Sequence, residues 1–147
     1  MNKLGLAISI AAKAFEGKTD KGGNPYILHC LWVMNEVRHL GEEAMIVAVL
    51  HDLVEDTDET SEINWTFDKL LAAGFSTGVV GDLYLLTHIK GTDYMEYIKP
   101  IAVSKRATEV KKADLRHNSD ITRLKGLRKK DHDRIEKYSI AYVYLSN

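Results

Sequence analysis

The chain has 147 residues, 45% of them apolar and 28% charged, and a formal net charge of −1. This length fits one domain, 1–147, with a real core, and the near-neutral balance argues against nucleic acid or an anionic membrane as partner. A single cysteine, Cys30, excludes an intramolecular disulfide and fits a reducing, cytoplasmic setting.

Hydrophobic periodicity predicts helices almost throughout. Leu4–Phe15 carries Leu4, Ile8, Ala11, Ala12 and Phe15 on one stripe. Lys13 interrupts this opening stretch, which reads as an amphipathic helix rather than a leader peptide or a membrane span. Gly17 ends it, and Lys18–Asn24 is a polar turn around Gly22 and Gly23. Asn24 reads as an N-cap and Pro25 as the first residue of a helix to His39. That helix is expected to bury Ile27, Leu28, Leu31, Trp32 and Val37, with His29 one turn in and Cys30 a buried thiol.

Glu42 and Glu43 open the next helix at its positive end. Ala44–Leu50 is then uninterruptedly apolar, the pattern of an element buried on every side. Ile46, Val47 and Val49 would also suit a buried strand, but no alternating partner segments lie nearby. His51, Asp52, Glu55, Asp56 and Asp58 follow at once. If the helix runs on through residue 56, His51 and Glu55 share a face at i, i+4, as do Asp52 and Asp56. Ionisable groups at the end of a buried run are costly unless they are paired or hold a metal.

After a polar stretch at 58–62, helices are expected at Ile63–Ala73 and Val79–Leu86. Thr87–Thr92 is a connection carrying His88, Lys90 and Gly91. Tyr94–Ile101 is a short helix interrupted at Pro100. Ser104 is the candidate cap of Lys105–Asn118. A basic loop around Gly126 leads to Asp131–Leu145, whose stripe is Ile135, Tyr138, Tyr142 and Leu145. His132-Asp133 repeats the His-Asp pair within a run of charges and reads as solvated surface. The expected fold class is all-α, with seven or eight helices around the 44–56 element.

Asp114 lies beside Val110 and Ala113 and needs a cation. Lys111, one turn earlier, offers an intrahelical salt bridge, and Asn118 lies one turn further on. His29, His51, Asp52 and Asp114 together form a mixed N/O set on three helices. Such a set suits an octahedral divalent metal such as Mn²⁺ or Fe²⁺ better than a thiolate zinc site.

The segments PYILH (25–29), HDLVEDT (51–57) and KKADLRHN (111–118) resemble, in order and spacing, the metal-dependent HD-domain phosphohydrolases. Within these, the resemblance is to the hydrolase domain of RelA/SpoT-type alarmone enzymes and to stand-alone small alarmone hydrolases. It runs from about Ala11 to Tyr138. It implies a Mn²⁺ held by His29, His51, Asp52 and Asp114, with Glu55 and Asp56 activating and orienting a water. It also implies that Lys18, Lys90, Asn118, Arg134 and Tyr138 contact a small nucleotide substrate. The activity implied is hydrolysis of the 3′-diphosphate of ppGpp-like alarmones.

The chain departs from the family at Lys18-Thr19, where a basic Arg-Lys pair is usual. A guanidinium stacks on a base and grips it bidentately, and this pair cannot; Lys21 could compensate in part. Two other readings therefore stay open: an HD-type phosphohydrolase for another nucleotide (a nucleoside monophosphate, a dNTP or NADPH), and a non-catalytic nucleotide-binding module. His88, Lys111, Lys112 and Arg116 are further basic groups with no assigned direction, and the oligomeric state is not indicated.

Overall fold

The computed structural model describes residues 2–57 and 63–147. Among these residues the fold is all-α, as expected. Helix α1 spans Lys3–Ala14, and the Asn2 side chain caps it by accepting from the Gly5 N–H. Its buried face is Ala7, Ala11 and Phe15, while Ala12 is exposed.

Helix α2 spans Ile27–Glu36, and a 3₁₀ turn at Arg38–Leu40 completes the segment expected as one helix. Asn24 is not its cap. Asp20 instead accepts from the Gly22 and Asn24 N–H groups, both at 2.9 Å, and Tyr26 N–H bonds back to the Lys18 carbonyl at 2.9 Å. An aspartate followed by two glycines closes this turn locally, so the helix starts later. Gly22 has no room for a side chain, since a Cβ there would lie 2.0 Å from the Arg123 carbonyl oxygen. The buried face of α2 is His29, Cys30, Val33 and Val37, whereas Leu28, expected inside, is 54% exposed.

Helix α3 spans Glu42–Leu50 and buries Ala44 and every residue from Ile46 to Leu50. It does not run on through residue 56. The chain bends at Asp52 (φ −100°, ψ 2°) and resumes as the short helix α4, Leu53–Asp56. The cause is local: the His51 imidazole bonds the Ala48 carbonyl at 2.6 Å, the acceptor that a continuing helix would offer residue 52. Asp58 and the polar stretch 58–62 lie outside the described residues. The ends flanking that stretch are tied together. Thr57 is buried, its hydroxyl donates to the Leu53 carbonyl at 2.6 Å and accepts from Trp65 N–H at 3.0 Å, and Asn64 donates to the Thr57 carbonyl at 3.0 Å.

Helix α5 is Phe67–Ala72, starting after the expected Ile63 because Thr66 caps it. Helix α6 is Thr77–Leu86, with Val79, Val80, Leu83 and Leu86 inside as expected. Helix α7 is Tyr94–Ile101, capped by Asp93, and it accommodates Pro100 in its last turn. Helix α8 is Lys105–Asn118 with Ser104 as cap, matching expectation. A 3₁₀ turn follows at Ile121–Arg123, and helix α9 runs Lys129–Leu145. Its inner side carries Ala141 and Leu145, with Ile135, Tyr138 and Tyr142 half-buried, while His132 and Asp133 are exposed.

Helix α3 packs against α1, α2, α6 and α8, while α9 lies on α7 and α8. This arrangement brings the first turn of α2, the end of α3 and the second half of α8 to one point. No helix among the described residues is long and apolar enough to cross a membrane.

Candidate metal centre and its cleft

Each donor at that point has a local reason for its direction. His51 stands at the α3–α4 bend, where its Nδ1–H donates to the Ala48 carbonyl. That contact leaves Nε2 facing inward, 3.0 Å from Asp52 Oδ2 and 3.3 Å from Asp114 Oδ1. His29 presents Nε2 from α2, 2.9 Å from Asp114 Oδ1 and 3.9 Å from Asp52 Oδ2. Its Nδ1 meets His117 Nδ1 at 2.8 Å. Burial, with Arg123 and His29 nearby, pushes His117 down to about 4, so it stays neutral and accepts the His29 Nδ1–H. The His117 ring is clamped between Trp32, at 4.2 Å, and His29, at 5.0 Å, nearly parallel to both.

The carboxylates are fixed in the same way. Asp114 Oδ2 accepts from the buried Lys111 ammonium at 2.8 Å, and Oδ1 accepts from Asn118 at 2.9 Å. The intrahelical salt bridge and the inward-facing carboxylate thus coexist, one oxygen for each. Asp52 accepts a short hydrogen bond from the Tyr26 hydroxyl.

One ligand atom from each of His29, His51, Asp52 and Asp114 falls within 4.8 Å of all the others. Two carboxylates buried side by side demand positive charge. In the chain alone, burial would lower His51, but Asp52 and Asp114 hold it well above its usual range. Burial would likewise raise the acids, yet His51 pulls Asp52 down to about 2, and Lys111 and His51 pull Asp114 well down. The same demand is met by a divalent cation, and both imidazoles have their outer nitrogen engaged. These residues fit a divalent metal. Cys30 is no part of the set: burial pushes its thiol up to about 12.

The centre forms the floor of a cleft of about 610 Å³. Glu55 and Asp56 stand on its wall. Glu55 Oε1 accepts from the His88 backbone N–H at 2.7 Å, and Asp56 pairs with Lys18 at 2.9 Å. Burial, with Asp52 nearby, raises both carboxyls above their usual range. Basic and aromatic side chains line the cleft as well. Arg134 lines it while paired to Asp131 at 2.6 Å, and Lys137 lies over the rings of Tyr94 and Tyr138.

The cleft therefore gathers Asp52 and Asp114 of the candidate metal set, Glu55, Asp56, Lys18, Asn118, Arg134 and Tyr138, together with Thr19 and Lys21, while His29 and His51 are buried behind the two aspartates and do not line it. Lys90 is not among its lining residues and is exposed. The 87–92 connection turns His88 inward instead, with Nε2 on the Thr92 carbonyl at 2.7 Å and the ring stacked on Tyr97 at 4.5 Å. Lys112 and Arg116 point elsewhere, toward Glu109 and Glu36. Tyr26, His117, Tyr94, Lys137 and Arg123 were not expected at the site. His117 had a legible signal, since it follows Asp114 at i, i+3. Tyr26, three residues before His29, had the same signal, whereas Tyr94, Lys137 and Arg123 depend on contacts between segments distant in sequence.

A family model described as HD domain matches residues 7–73. A guanosine-3′,5′-bis(diphosphate) 3′-pyrophosphohydrolase of Haemophilus influenzae is 44% identical over 55 residues, 36% of this chain and 8% of the relative. The bifunctional (p)ppGpp synthase/hydrolase SpoT of Escherichia coli is 36% identical over 76 residues, 49% of this chain and 11% of the relative. The match to these curated relatives thus spans only about a tenth of their length. A solved structure described as "A metazoan ortholog of SpoT hydrolyzes ppGpp and plays a role in starvation responses" superposes with a TM-score of 0.77 at 24% identity. The match covers 99% of this chain and 85% of that one and establishes the shared fold.

Proposed function

We propose that the chain is an HD-domain, metal-dependent phosphohydrolase that removes the 3′-diphosphate of ppGpp-like alarmones, a reading that the HD-domain match over residues 7–73 supports. The observation that carries this reading is the convergence of the four donor atoms within 4.8 Å, two of them on aspartates that line a cleft also lined by acids and cations. The two curated relatives described above bear names for ppGpp hydrolysis, which supports the substrate class. We take residues 1–147 as one working domain, and the reducing setting that Cys30 suits as the cytoplasm.

His29, His51, Asp52 and Asp114 hold the metal, with Mn²⁺ the first choice and Fe²⁺ the second for this donor set. When bound, such an ion polarises a phosphate oxygen and eases deprotonation of water. The remaining steps belong to the side chains. Glu55, with its carboxyl raised by burial, accepts the proton of the attacking water. Asp56 orients that water. Lys18, Arg134 and Asn118 bind phosphate and sugar oxygens, and Tyr138 supports the nucleotide. Tyr26 and His117 hold Asp52 and His29 in register.

A second reading, hydrolysis of another nucleotide, rests on one feature of the cleft. Lys18 pairs with Asp56 and lies 4.2 Å from the Tyr26 ring centre, so neither it nor Thr19 offers a planar grip on guanine. The deciding experiment measures phosphate and pyrophosphate release, with Mn²⁺, from ppGpp and from a panel of ordinary nucleotides. Pyrophosphate from ppGpp, with little release from the panel, is the expected result. Silence on ppGpp with release from another nucleotide would move the activity to the second reading.

A further inference from the structure

The Tyr94 hydroxyl is the one buried side-chain oxygen or nitrogen among the described residues that has no hydrogen-bond partner. It does not lie in the core. Tyr94 lines the cleft in company with Asp52, Glu55, Lys111 and Asp114. A buried hydroxyl without a partner is unfavourable in the free protein, so such groups call for an explanation. Here the natural explanation is a ligand atom.

The ring is held ready for one. Tyr94 opens α7, and Asp93 fixes that turn by accepting from Met95 and Glu96 N–H. Tyr97, His88 and Tyr138 surround the ring at centroid distances of 5.9, 6.1 and 6.3 Å. The Lys137 ammonium lies 4.5 Å from the ring centre. These contacts fix the ring, and the oxygen stays unpaired.

The surroundings define what it would bind. Burial raises the phenol above its usual range despite the Lys111 charge nearby, so the oxygen keeps its proton. A protonated phenol that lines the cleft with the Lys111 ammonium is a donor without an acceptor. Its complement is an anionic oxygen, and the substrate class proposed above carries one at the phosphorus under attack.

We propose that Tyr94 is a substrate-contacting residue whose O–H donates to a non-bridging oxygen of the phosphoryl group being removed, beside Lys111. The contact strengthens as negative charge builds on that oxygen, so it acts mainly on turnover. This assignment rests on the phosphohydrolase reading for its substrate, and on the orphaned hydroxyl for the residue.

The test is Tyr94→Phe in the full chain, which removes one oxygen and keeps the ring. With the nucleotide that the native chain hydrolyses, kcat is expected to fall about 10- to 100-fold, with a smaller change in KM. Pyrophosphate binding to the Mn²⁺-loaded protein, followed by calorimetry, should weaken about tenfold. Metal content should be unchanged, and Tm unchanged or raised, because an unpaired buried hydroxyl has gone. Native pyrophosphate affinity and native kcat in the variant would overturn the assignment. So would a lowered Tm with native affinity, which would show that the hydroxyl serves the fold. If the native chain cleaves none of the nucleotides tested, the functional reading fails, and the pyrophosphate titration still decides the role of Tyr94.

Discussion

At the candidate metal centre every donor has a second partner, whereas Lys18, Arg134 and Lys137 along the cleft are each held by one ion pair, by aromatic rings, or by both. His51 leans on the Ala48 carbonyl, His29 on His117, Asp52 on Tyr26, and Asp114 on Lys111 and Asn118. Lys18 has Asp56, Arg134 has Asp131, and Lys137 has the faces of Tyr94 and Tyr138. The floor needs fixed geometry, because a metal tolerates little drift in its ligands. The rim needs only charge within reach of a flexible phosphate. Change on the floor should therefore abolish chemistry, while change on the rim should retune affinity.

Substituting a floor residue is the most damaging way to probe this contrast. Asp114→Ala removes a proposed ligand and strands Lys111, whose side chain is only 11% exposed. The variant should lose metal and all turnover. Metal-free, it should also be less stable by about 3–5 kcal/mol, because a buried charge is left without its partner. Chemical denaturation and metal analysis measure the two effects. Native stability would mean that Lys111 finds water or another acceptor.

Glu55 separates chemistry from metal binding. Glu55→Gln should keep the metal and lose turnover by about 10²- to 10⁴-fold. Burial, together with the Asp52 and Asp56 charges, raises the Glu55 carboxyl. It therefore takes up a proton at a higher pH than an ordinary glutamate, and native activity should fall on the acid side as that proton binds. The residual activity of Glu55→Gln should lack this acid limb. Loss of metal in the variant would make Glu55 a ligand rather than a base.

The rim should yield the smallest changes. Arg134→Ala should raise KM about tenfold with kcat nearly native. Lys90→Ala should leave both within about twofold, since the side chain is exposed and outside the cleft. A large effect of Lys90→Ala would show that the 87–92 connection moves when substrate binds.

The contrast also explains what could be read from the sequence. His51 and Asp52 stood out because ionisable groups at the end of an apolar helix require a reason, whereas His29 and Asp114, inside their helices, joined them through the mixed donor set and the family resemblance. Most helix positions followed from the 3.6-residue period. The bend at Asp52 was missed because it arises from an imidazole taking a backbone acceptor, and no period encodes that. The Asn24 cap failed because Asp20 and its glycines close the turn first. Leu28 was placed inside because apolar residues default to the core, while the helix turns His29 there instead. Lys90 was expected in the cleft from its position in the chain, but the turn at Gly91 and the His88–Tyr97 stack give that place to His88. Tyr94 and Lys137 are joined only by the packing of α7 on α9.

The all-round burial of α3 carries one more consequence. A helix with a single apolar stripe knows which way to face, because rotating it would expose that stripe. Helix α3 has no such compass: from Ile46 to Leu50 every side is covered. Its azimuth must be indexed by something directional, and the directional groups sit at its end. His51 and Asp52 must meet His29 and Asp114 from one angle, and each residue of rotation would swing them by about 100°. The residues set out for chemistry thus also act as the key that stops the central rod from turning in its socket.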